Sequence, residues 1–355
     1  MSRVIGQPVT WYEITDAKIA PIPPSCARHL APGLARIHAF EEKGPLEMRY
    51  VIRRVLQSII VVFGVSIVAF GMMFLTGDPA EVILGDGADR MTVQQIDEFR
   101  AKMGFDRPWY VQYADFVAKA LQGDFGESFI RHKPAYEVIV ERLPATIQLA
   151  AFAFVLSLVV SIPLGVLSAT RAQTPIDHLV SVVALIGQSI PSFWLGILLI
   201  LFFGVYLKWL PVSGSGTWQH LVMPGIALAA FPIARNMRLT RSSMLDLMQR
   251  DFVRTARAKG ISENRVVYVH VFRNSLLPLV TAIGLEVGFL LGGSVIIETI
   301  FGWPGVGREI IAAIGSKDFY VVQAGVIMLA LIFASVNLII DLVYVWVDPR
   351  IRFGE

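Results

Sequence analysis

The 355-residue chain is 55% hydrophobic and only 17% charged, with a mean hydropathy of +0.60. Soluble domains carry roughly 45–50% apolar and about 25% charged residues, so this composition excludes a soluble protein and predicts an integral membrane protein. The net charge of +3 gives no reason to expect nucleic acid as a partner, and the single cysteine, Cys26, excludes an internal disulfide and a cysteine-based metal cluster.

The first 47 residues differ from the rest of the chain. They contain several prolines, no helical period and no apolar run long enough for a signal sequence. They are predicted to be either a disordered cytosolic extension or a mis-assigned upstream segment. Met48 begins the sequence MRYVIRRVLQSII, in which a basic cluster precedes an apolar run, as at the start of a first membrane helix. Met48 as the natural first residue is therefore one of the two hypotheses, and the residues alone leave both open.

Six apolar stretches reach the length of about 20 residues that a spanning helix needs. They lie at about 55–75, 146–168, 179–204, 221–241, 276–298 and 323–346. Pro163 and Pro191 fall inside the second and third stretches, where neighbouring helices must satisfy the carbonyls that proline leaves free. Each proline predicts a bundled helix with a simple kink. The predicted fold is an all-α membrane protein with a first helix at 48–75, an outer loop at 76–145 and a core at 146–355.

Basic residues in the short loops predict that both termini are cytoplasmic. They precede the first span and follow the second, fourth and sixth: Arg49, Arg53, Arg54, Arg171, Arg241, Arg250, Arg254, Arg257, Lys259, Arg265, Arg273, Arg350 and Arg352. The short loops on the other side carry only Lys208, Arg308 and Lys317. The long loop at 76–145 contains both signs, and loops beyond about 60 residues cross the membrane largely regardless of charge.

The long outer loop is predicted to be partly helical. Thr92 and Gln95 have the spacing of a capping box, and Gly104 provides the end of that helix. A second helix is expected from Pro108 to Gly123, with an apolar stripe along one face. The stripe favours packing on the membrane surface or on the bundle over ligand binding.

No motif for catalysis or nucleotide hydrolysis occurs in the chain. It has no GxxxxGK[ST], HExxH or GxSxG sequence, and its six histidines show no ligand-like spacing. We therefore expect no catalytic residue, metal site or cofactor. Uphill transport would need an ion gradient or a partner that supplies energy.

Glu286 is an acidic residue near the middle of the fifth predicted span. A charge there costs at least about 2.5–3.5 kcal/mol on insertion scales, so Glu286 should face a cavity or be protonated. Asn337 and Asp341 lie nearer to the inner end of the sixth span. A single polar contact in the bundle is favoured over a proton relay. Arg235 and Arg238 fall at the inner end of the fourth span, where long side chains can reach the interface.

Residues 242–278, between the fourth and fifth spans, form a polar and basic segment with a predicted chain reversal at Gly260. The expected elements are a helix from Ser242 or Ser243 to Lys259 and a second helix, capped by Ser262, over 263–275. Small side chains before Gly260 would let this turn enter a concave partner surface, and glycine permits the reversal. An amphipathic helix on anionic lipid is the alternative, and the residues alone leave both open.

The sequence GWPGVG at 302–307 predicts a tight, stiff turn on the outer face. Such a turn would shape an outer gate or meet a partner protein, or serve only as a connection. The residues that we predict for a pathway or gate are Glu286, Glu298, Trp303, Pro304 and Gly305.

The sequence TARAKG at 255–260, followed by LLP at 276–278, resembles the EAA loop of ATP-binding-cassette importer permeases. Arg257 replaces the second alanine of many members, and the spacing from Gly260 to Pro278 is long. Both departures are typical of the dipeptide, oligopeptide and nickel permease subfamily. Further stretches similar to that subfamily are MRYVIRRVLQ at 48–57, GDP at 77–79, GFDRPWYVQY at 104–113, GDFGES at 123–128, GGSVIIETIFGWPGVG at 292–307 and DLVYVWVDPRIR at 341–352.

The resemblance covers essentially residues 48–355 and implies a multi-pass permease of the bacterial cytoplasmic membrane, surrounded by lipid. It implies a second, homologous permease as partner in a heterodimer, two cytoplasmic ATPase subunits that hold ATP and Mg²⁺, and an extracytoplasmic substrate-binding protein. Peptides are the expected substrates, with nickel chelates or glutathione as alternatives. An ion-coupled carrier would need paired broken helices in inverted repeats, and a non-transporting anchor would need no cytoplasmic helical insert.

The resemblance also implies that the EAA loop docks as a coupling helix into a groove of the ATPase. The residues expected to dock are Thr255, Ala256, Arg257, Lys259, Gly260 and Pro278. Ala256 and Gly260 would lie deepest in that groove, and their neighbours would flank the contact.

Overall fold

A computed structural model describes residues 46–75, 78–84 and 91–347, and these residues are predominantly helical. In these ranges the only extended pairing is an isolated bridge between Glu127 and Pro134. The predicted all-α class is confirmed. The predicted extension at 1–47 falls, except for its last two residues, outside the described part of the chain, as do Arg350 and Arg352.

The helices of the first segment and the outer loop are α1 (Leu46–Leu75), α2 (Pro79–Leu84), α3 (Val93–Met103), α4 (Trp109–Ala120) and α5 (Ala135–Val140). Capping residues determine where the two helices predicted for the loop at 76–145 begin and end. The Thr92 side chain and Gln95 form the capping box of α3, and Gly104 ends α3 with a φ of 76°. Pro108 precedes α4, which stops three residues before the predicted Gly123. The prediction that the 76–145 segment is partly helical is confirmed for its described residues, and its position on the outer side stays a prediction.

The core helices are α6 (Leu143–Thr170), α7 (Pro175–Ser189), α8 (Ser192–Leu199), α9 (Gln219–Met248), α10 (Asp251–Ala258), α11 (Glu263–Arg265), α12 (Arg273–Ile300), α13 (Val306–Gly315) and α14 (Phe319–Val347). Two π-helical segments extend them. Ile200–Tyr206 continues α8, and Val266–Phe272 joins α11 to α12 without a break.

Four helical segments of the described residues are long and apolar enough to cross a membrane. They are Ile52–Phe74, Ala135–Thr170, Pro278–Ile300 and Phe319–Asp341. A fifth is obtained if the bent pair Pro175–Ser189 and Ser192–Tyr206 counts as one span. The predicted span at 221–241 lies within the continuous helix α9 but is not among these segments. Its sequence includes Arg235, Asn236 and Arg238, which lower its hydropathy.

The two prolines expected to kink spans have different effects. Pro163 lies inside the continuous helix α6. Pro191 instead separates α7 from α8, and the two arms meet at 104°. Ile190 and Pro191 both have extended ψ values, 123° and 135°. Because proline disfavours a helical conformation at the preceding residue, the chain leaves the helix at Ile190, so the expectation of a simple kink at Pro191 is wrong.

The interior of the core lies between α6, α9 and α12. Its fully buried side chains include Leu149, Leu228, Leu290 and Phe301. A second buried cluster joins α5, α13 and α14 near the outer loop. A third joins the end of α6 to the α10–α12 segment. This third cluster positions the polar loop that the sequence singled out.

Candidate functional site

The loop between α9 and α12 starts later than predicted. Helix α9 continues to Met248, so a helix start at Ser242 or Ser243 is wrong. The Ser242 hydroxyl donates to the carbonyl of Leu239, one turn back in the same helix, at 3.1 Å. A serine bonded in this way does not cap a new helix. The first loop helix is α10, which begins at Asp251 after an extended Arg250.

Gly260 makes the predicted chain reversal. Its φ of 74° lies in the left-handed region that glycine adopts without the penalty of a β-carbon. The backbone N–H of Gly260 donates to the carbonyl of Arg257 at 2.9 Å, and that of Ile261 donates to Ala256 at 3.3 Å. These bonds end α10. The predicted second helix at 263–275 is helical throughout but merges into α12, and Pro278 lies inside α12 at the start of the apolar segment Pro278–Ile300.

Helix α10 has an inner face that packs on the chain itself. Val253 and Ala256 are buried in a cluster with Val166 of α6, Met244 of α9 and Val266. Only 7% of Ala256 is exposed. Its methyl group therefore supports α10 from within, whereas the resemblance led us to expect it deepest in a partner's groove.

The opposite face of α10 is exposed. It presents the side chains of Phe252, Thr255, Arg257 and Lys259, and the turn at Gly260 is exposed beside them. A β-carbon at Gly260 would meet no atom within 4 Å. This outward surface, which we call the docking face, is thus basic, and the space beside Gly260 is open.

An ion pair braces the turn at Gly260. Arg257 of α10 donates to Glu263 of α11 through Nε at 3.0 Å and Nη2 at 2.5 Å. The guanidinium lowers the pKa of the Glu263 carboxyl below its usual range, and the same bond raises the pKa of Arg257. Both side chains are about half exposed, so solvent weakens the pair. The pair nevertheless fixes the geometry of α10 relative to α11.

A buried carboxylate, Asp177 of α7, joins that helix to α6 and α9. It accepts hydrogen bonds from Arg241 of α9 at 2.7 and 2.8 Å and from the Gln173 backbone at 2.9 Å. Ser168 of α6 donates to the same carboxylate. Sequence reasoning missed this cluster. The spacing of Thr174 and Asp177 is typical of a helix start, but nothing local points to Arg241.

Glu286 occupies the centre of the bundle. Its two carboxylate oxygens accept hydrogen bonds from Ser157 of α6 and Asn236 of α9. The residue is 3% exposed. Glu286 therefore joins α6, α9 and α12 through one set of polar contacts.

The predicted gate residues at the outer end form a closed network. Glu298 is fully buried and accepts from the Thr146 hydroxyl at 2.7 Å and from the Arg308 backbone at 3.1 Å. Thr146 accepts in turn from the Val306 backbone at 2.8 Å. The Trp303 indole donates to the carbonyl of Ala145 at 2.8 Å. This arrangement, the outer turn, ties α12 and α13 to the start of α6.

Gly305 completes the outer turn by lying against the Glu298 carboxylate, which a β-carbon at this position would overlap. The structure thus brings Glu298, Trp303 and Gly305 together, and Pro304 lies between the last two. Glu286 is three turns away along α12. The docking face belongs to the opposite end of that helix.

Both parts of the chain match known transport components. Residues 161–353 match the family described as binding-protein-dependent transport system inner membrane component, and residues 47–150 match the N-terminal family of such components. The dipeptide transport system permease protein DppB of Alkalihalophilus pseudofirmus is 38% identical over 86% of this chain and 100% of its own length. The glutathione transport system permease protein GsiC of Escherichia coli K12 is also 38% identical, over 86% of this chain and 99% of its own.

Among solved structures, a chain of the methionine ABC transporter MetNI in an inward-facing conformation is similar over 59% of this chain and 96% of its own. Its sequence identity is 21% and its TM-score is 0.49.

Proposed function

Because the chain belongs to the family of binding-protein-dependent transport system inner membrane components, we propose that it is the permease subunit of an ATP-driven importer of peptides. It is a multi-pass protein of the inner membrane. The relatives named for dipeptide and glutathione transport support short peptides as the substrate class. A separate extracytoplasmic protein binds the peptide and delivers it.

Six spans with both termini in the cytoplasm are the topology that fits this function. The four apolar segments, the bent pair and α9 are the helices that would form the six spans. Helix α9 is the least apolar of the six. A spanning helix that carries Arg235 and Arg238 is stable when those side chains face protein or water rather than lipid. In this topology α10 and α11 lie on the cytoplasmic side, where ATPase subunits bind.

The observation that carries the proposal is the two-faced packing of α10. Val253 and Ala256 fix the helix to the chain's own core, whereas Thr255, Arg257 and Lys259 point outward beside Gly260. A helix that is held firmly from within and exposed on its other face can transmit a push from a partner. The docking face therefore contacts a groove of an ATPase subunit, and Ala256 acts as the internal support of that contact. Pro278 marks where the loop enters the span.

This division of labour explains why the chain needs no catalytic residues. Partner ATPases bind and hydrolyse ATP, and their closure moves the docking face of this chain and that of a second, homologous permease. The helices then alternate between two arrangements. Such a change requires only that ATP binding favours one arrangement over the other.

Co-purification tests the proposal. The chain is expressed with its partner permease, ATPase and binding protein and is isolated in detergent through a tag on the permease. We expect the ATPase to be retained with the wild type and lost with Gly260→Trp. Val183→Trp changes an exposed side chain of α7 and is the matched control, which should retain the ATPase. Equal retention in all three proteins would rule out the docking face as the contact.

Transport of radiolabelled dialanine and glutathione by the reconstituted assembly tests the substrate class. Uptake that needs ATP and the binding protein is expected for at least one of them. Uptake of neither, by an assembly with intact ATPase activity, would exclude short peptides as substrates.

A further inference from the structure

A basic cavity of about 570 Å³ lies between α7 and α9, away from the docking face and the outer turn. Three arginines of α9 line it, namely Arg235, Arg238 and Arg241, together with Ser181 and Gln188 of α7. Residues three apart on a helix share one face, so the arginines form a ladder along α9. The cavity is therefore strongly positive along one wall.

Two of these arginines are not held in a direct ion pair, although Arg235 interacts electrostatically with the Glu286 carboxylate. Arg241 is occupied by the buried carboxylate of Asp177. Arg238 donates to the amide oxygen of Gln188. Within the described ranges, neither Arg235 nor Arg238 has a carboxylate within 4.0 Å, and both side chains are exposed. The cavity thus offers two guanidinium groups to an anion.

The depth of these three arginines in the membrane indicates whether they face lipid, protein or water. Asn236, next to Arg235, bonds to Glu286, which lies in the middle part of the apolar segment Pro278–Ile300. Arg235, which the sequence placed at the inner end of its span, is therefore level with the middle part of that segment, and Arg238 and Arg241 follow toward the end that carries the docking face. Arginines at such depth face a water-filled cavity or the protein interior rather than acyl chains, and they commonly mark substrate pathways.

We propose that this face of α9 lines the substrate passage, and that Arg235 and Arg238 bind the carboxylate of a peptide as it crosses. The proposal rests on the proposed function. Every peptide with a free C-terminus carries one carboxylate, and the planar guanidinium fork binds carboxylates through two parallel hydrogen bonds. The volume is sufficient for a small ligand. Gln188 and Ser181 supply further polar contacts on the opposite wall.

Thiol labelling in the complete assembly tests whether water reaches this wall. Cys26→Ser removes the single native cysteine, and Arg238→Cys then places a thiol in the cavity. Val183→Cys, on the opposite face of α7, is the lipid-side control. A charged, water-soluble thiosulfonate should label position 238 and leave position 183 unlabelled in lipid nanodiscs. Failure to label position 238 would overturn the proposal.

Uptake kinetics test whether the arginines bind the carboxylate. For dialanine or glutathione, whichever the wild-type assembly transports, Arg238→Gln should raise KM about tenfold, and Arg235→Gln should act in the same direction. Arg238→Lys should have a smaller effect on KM than Arg238→Gln, because lysine keeps the positive charge but cannot form the two parallel hydrogen bonds of a guanidinium group. An unchanged KM in both glutamine variants, with normal assembly, would refute carboxylate binding.

Two other outcomes can be distinguished from carboxylate binding by these experiments. If phosphatidylglycerol co-purifies with the wild type at one molecule per chain and is lost from Arg238→Gln, the cavity is a lipid site and the proposal is wrong. If the wild type transports neither peptide while position 238 is labelled, the proposed peptide function fails and the water-filled wall stands by itself.

Discussion

The docking face and the outer turn lie at opposite ends of α12, and they differ in how their polar groups are used. At the outer turn, Glu298 is fully buried and Trp303 is 2% exposed, and their polar side-chain atoms bond within the chain. At the docking face, Thr255 and Lys259 are exposed and Gly260 has empty space beside it. Both regions contain glycines and charges, so composition alone does not separate them.

The difference teaches that a glycine can serve two opposite purposes in one chain. Gly305 is required because a β-carbon would overlap the Glu298 carboxylate, which is a constraint from inside. Gly260 is required by its positive φ and, in the proposed complex, by the surface of another protein. Substitution at Gly260 should therefore reduce transport, whereas substitution at Gly305 should reduce the stability of the protein.

The largest effect is expected at Gly260. Gly260→Trp should abolish peptide uptake while the protein still inserts, because the indole fills the docking face without striking the chain itself. Uptake into proteoliposomes and the amount of membrane-inserted protein are the measurements. Gly260→Ala, which adds backbone strain of about 1–2 kcal/mol but little bulk, should retain part of the uptake. Full transport by the tryptophan variant would contradict the docking role.

Substitution at Gly305 should instead reduce stability. Gly305→Ala forces the Glu298 carboxylate away from Thr146 and is expected to lower the free energy of unfolding by about 1–3 kcal/mol. The detergent-solubilised protein should show a lower Tm. Gly315→Ala is the matched control, because its methyl group meets nothing within 4 Å. A Tm unchanged in both variants would show that the outer turn is less constrained than its contacts indicate.

Glu286 is a buried carboxylate in the middle of the bundle, and its substitution tests whether its contacts stabilise the fold or transfer protons. Glu286→Leu leaves the Asn236 amide without its acceptor and removes the contact with Ser157, so the free energy of unfolding should fall by about 1–3 kcal/mol. Glu286→Gln keeps the shape and should retain ATP-driven uptake. Loss of uptake in a well-folded glutamine variant would instead support a proton relay, as in an ion-coupled carrier.

The smallest effect is expected from the brace between Arg257 and Glu263. Because both groups are about half exposed, Arg257→Ala should lower stability by only about 0.2–1 kcal/mol. The pKa of Glu263 is lowered in the folded protein, so the pair stabilises above its ordinary pKa of about 4.3 and is lost as pH falls through the lowered value. The Tm difference between wild type and Arg257→Ala should be constant near about pH 7 and vanish at strongly acidic pH. A difference that grows on acidification would exclude this ion pair as its cause.

Local signals in the sequence predicted the features that neighbouring residues determine. The capping box at Thr92, the helix end at Gly104 and the reversal at Gly260 each depend on a few adjacent positions, and all three are confirmed. The apolar segments were recognisable from length and composition. The membership of the family followed from motifs distributed over the chain.

Features that depend on distant residues were not predictable in this way. Glu298 was suspected as a pathway residue, but its partner Thr146 is 152 positions earlier. The 104° bend at Pro191 depends on the packing of both arms, which the proline alone does not specify. The docking role of Thr255, Lys259 and the other loop residues stays a prediction, as does the gate role of the outer turn.

The unbroken helical run from Glu263 to Ile300 connects the region of the docking face directly to the outer turn. At about 1.5 Å per residue it is a rod of roughly 55 Å, with the docking face beside one tip and Glu298 near the other. The described backbone is helical from one tip to the other. The wider π-helical turns at Val266–Phe272 interrupt the α-helical geometry of the rod. In the proposed complex, a displacement that an ATPase imposed at the docking face would reach the outer turn through tilting of this run or bending at these seven residues.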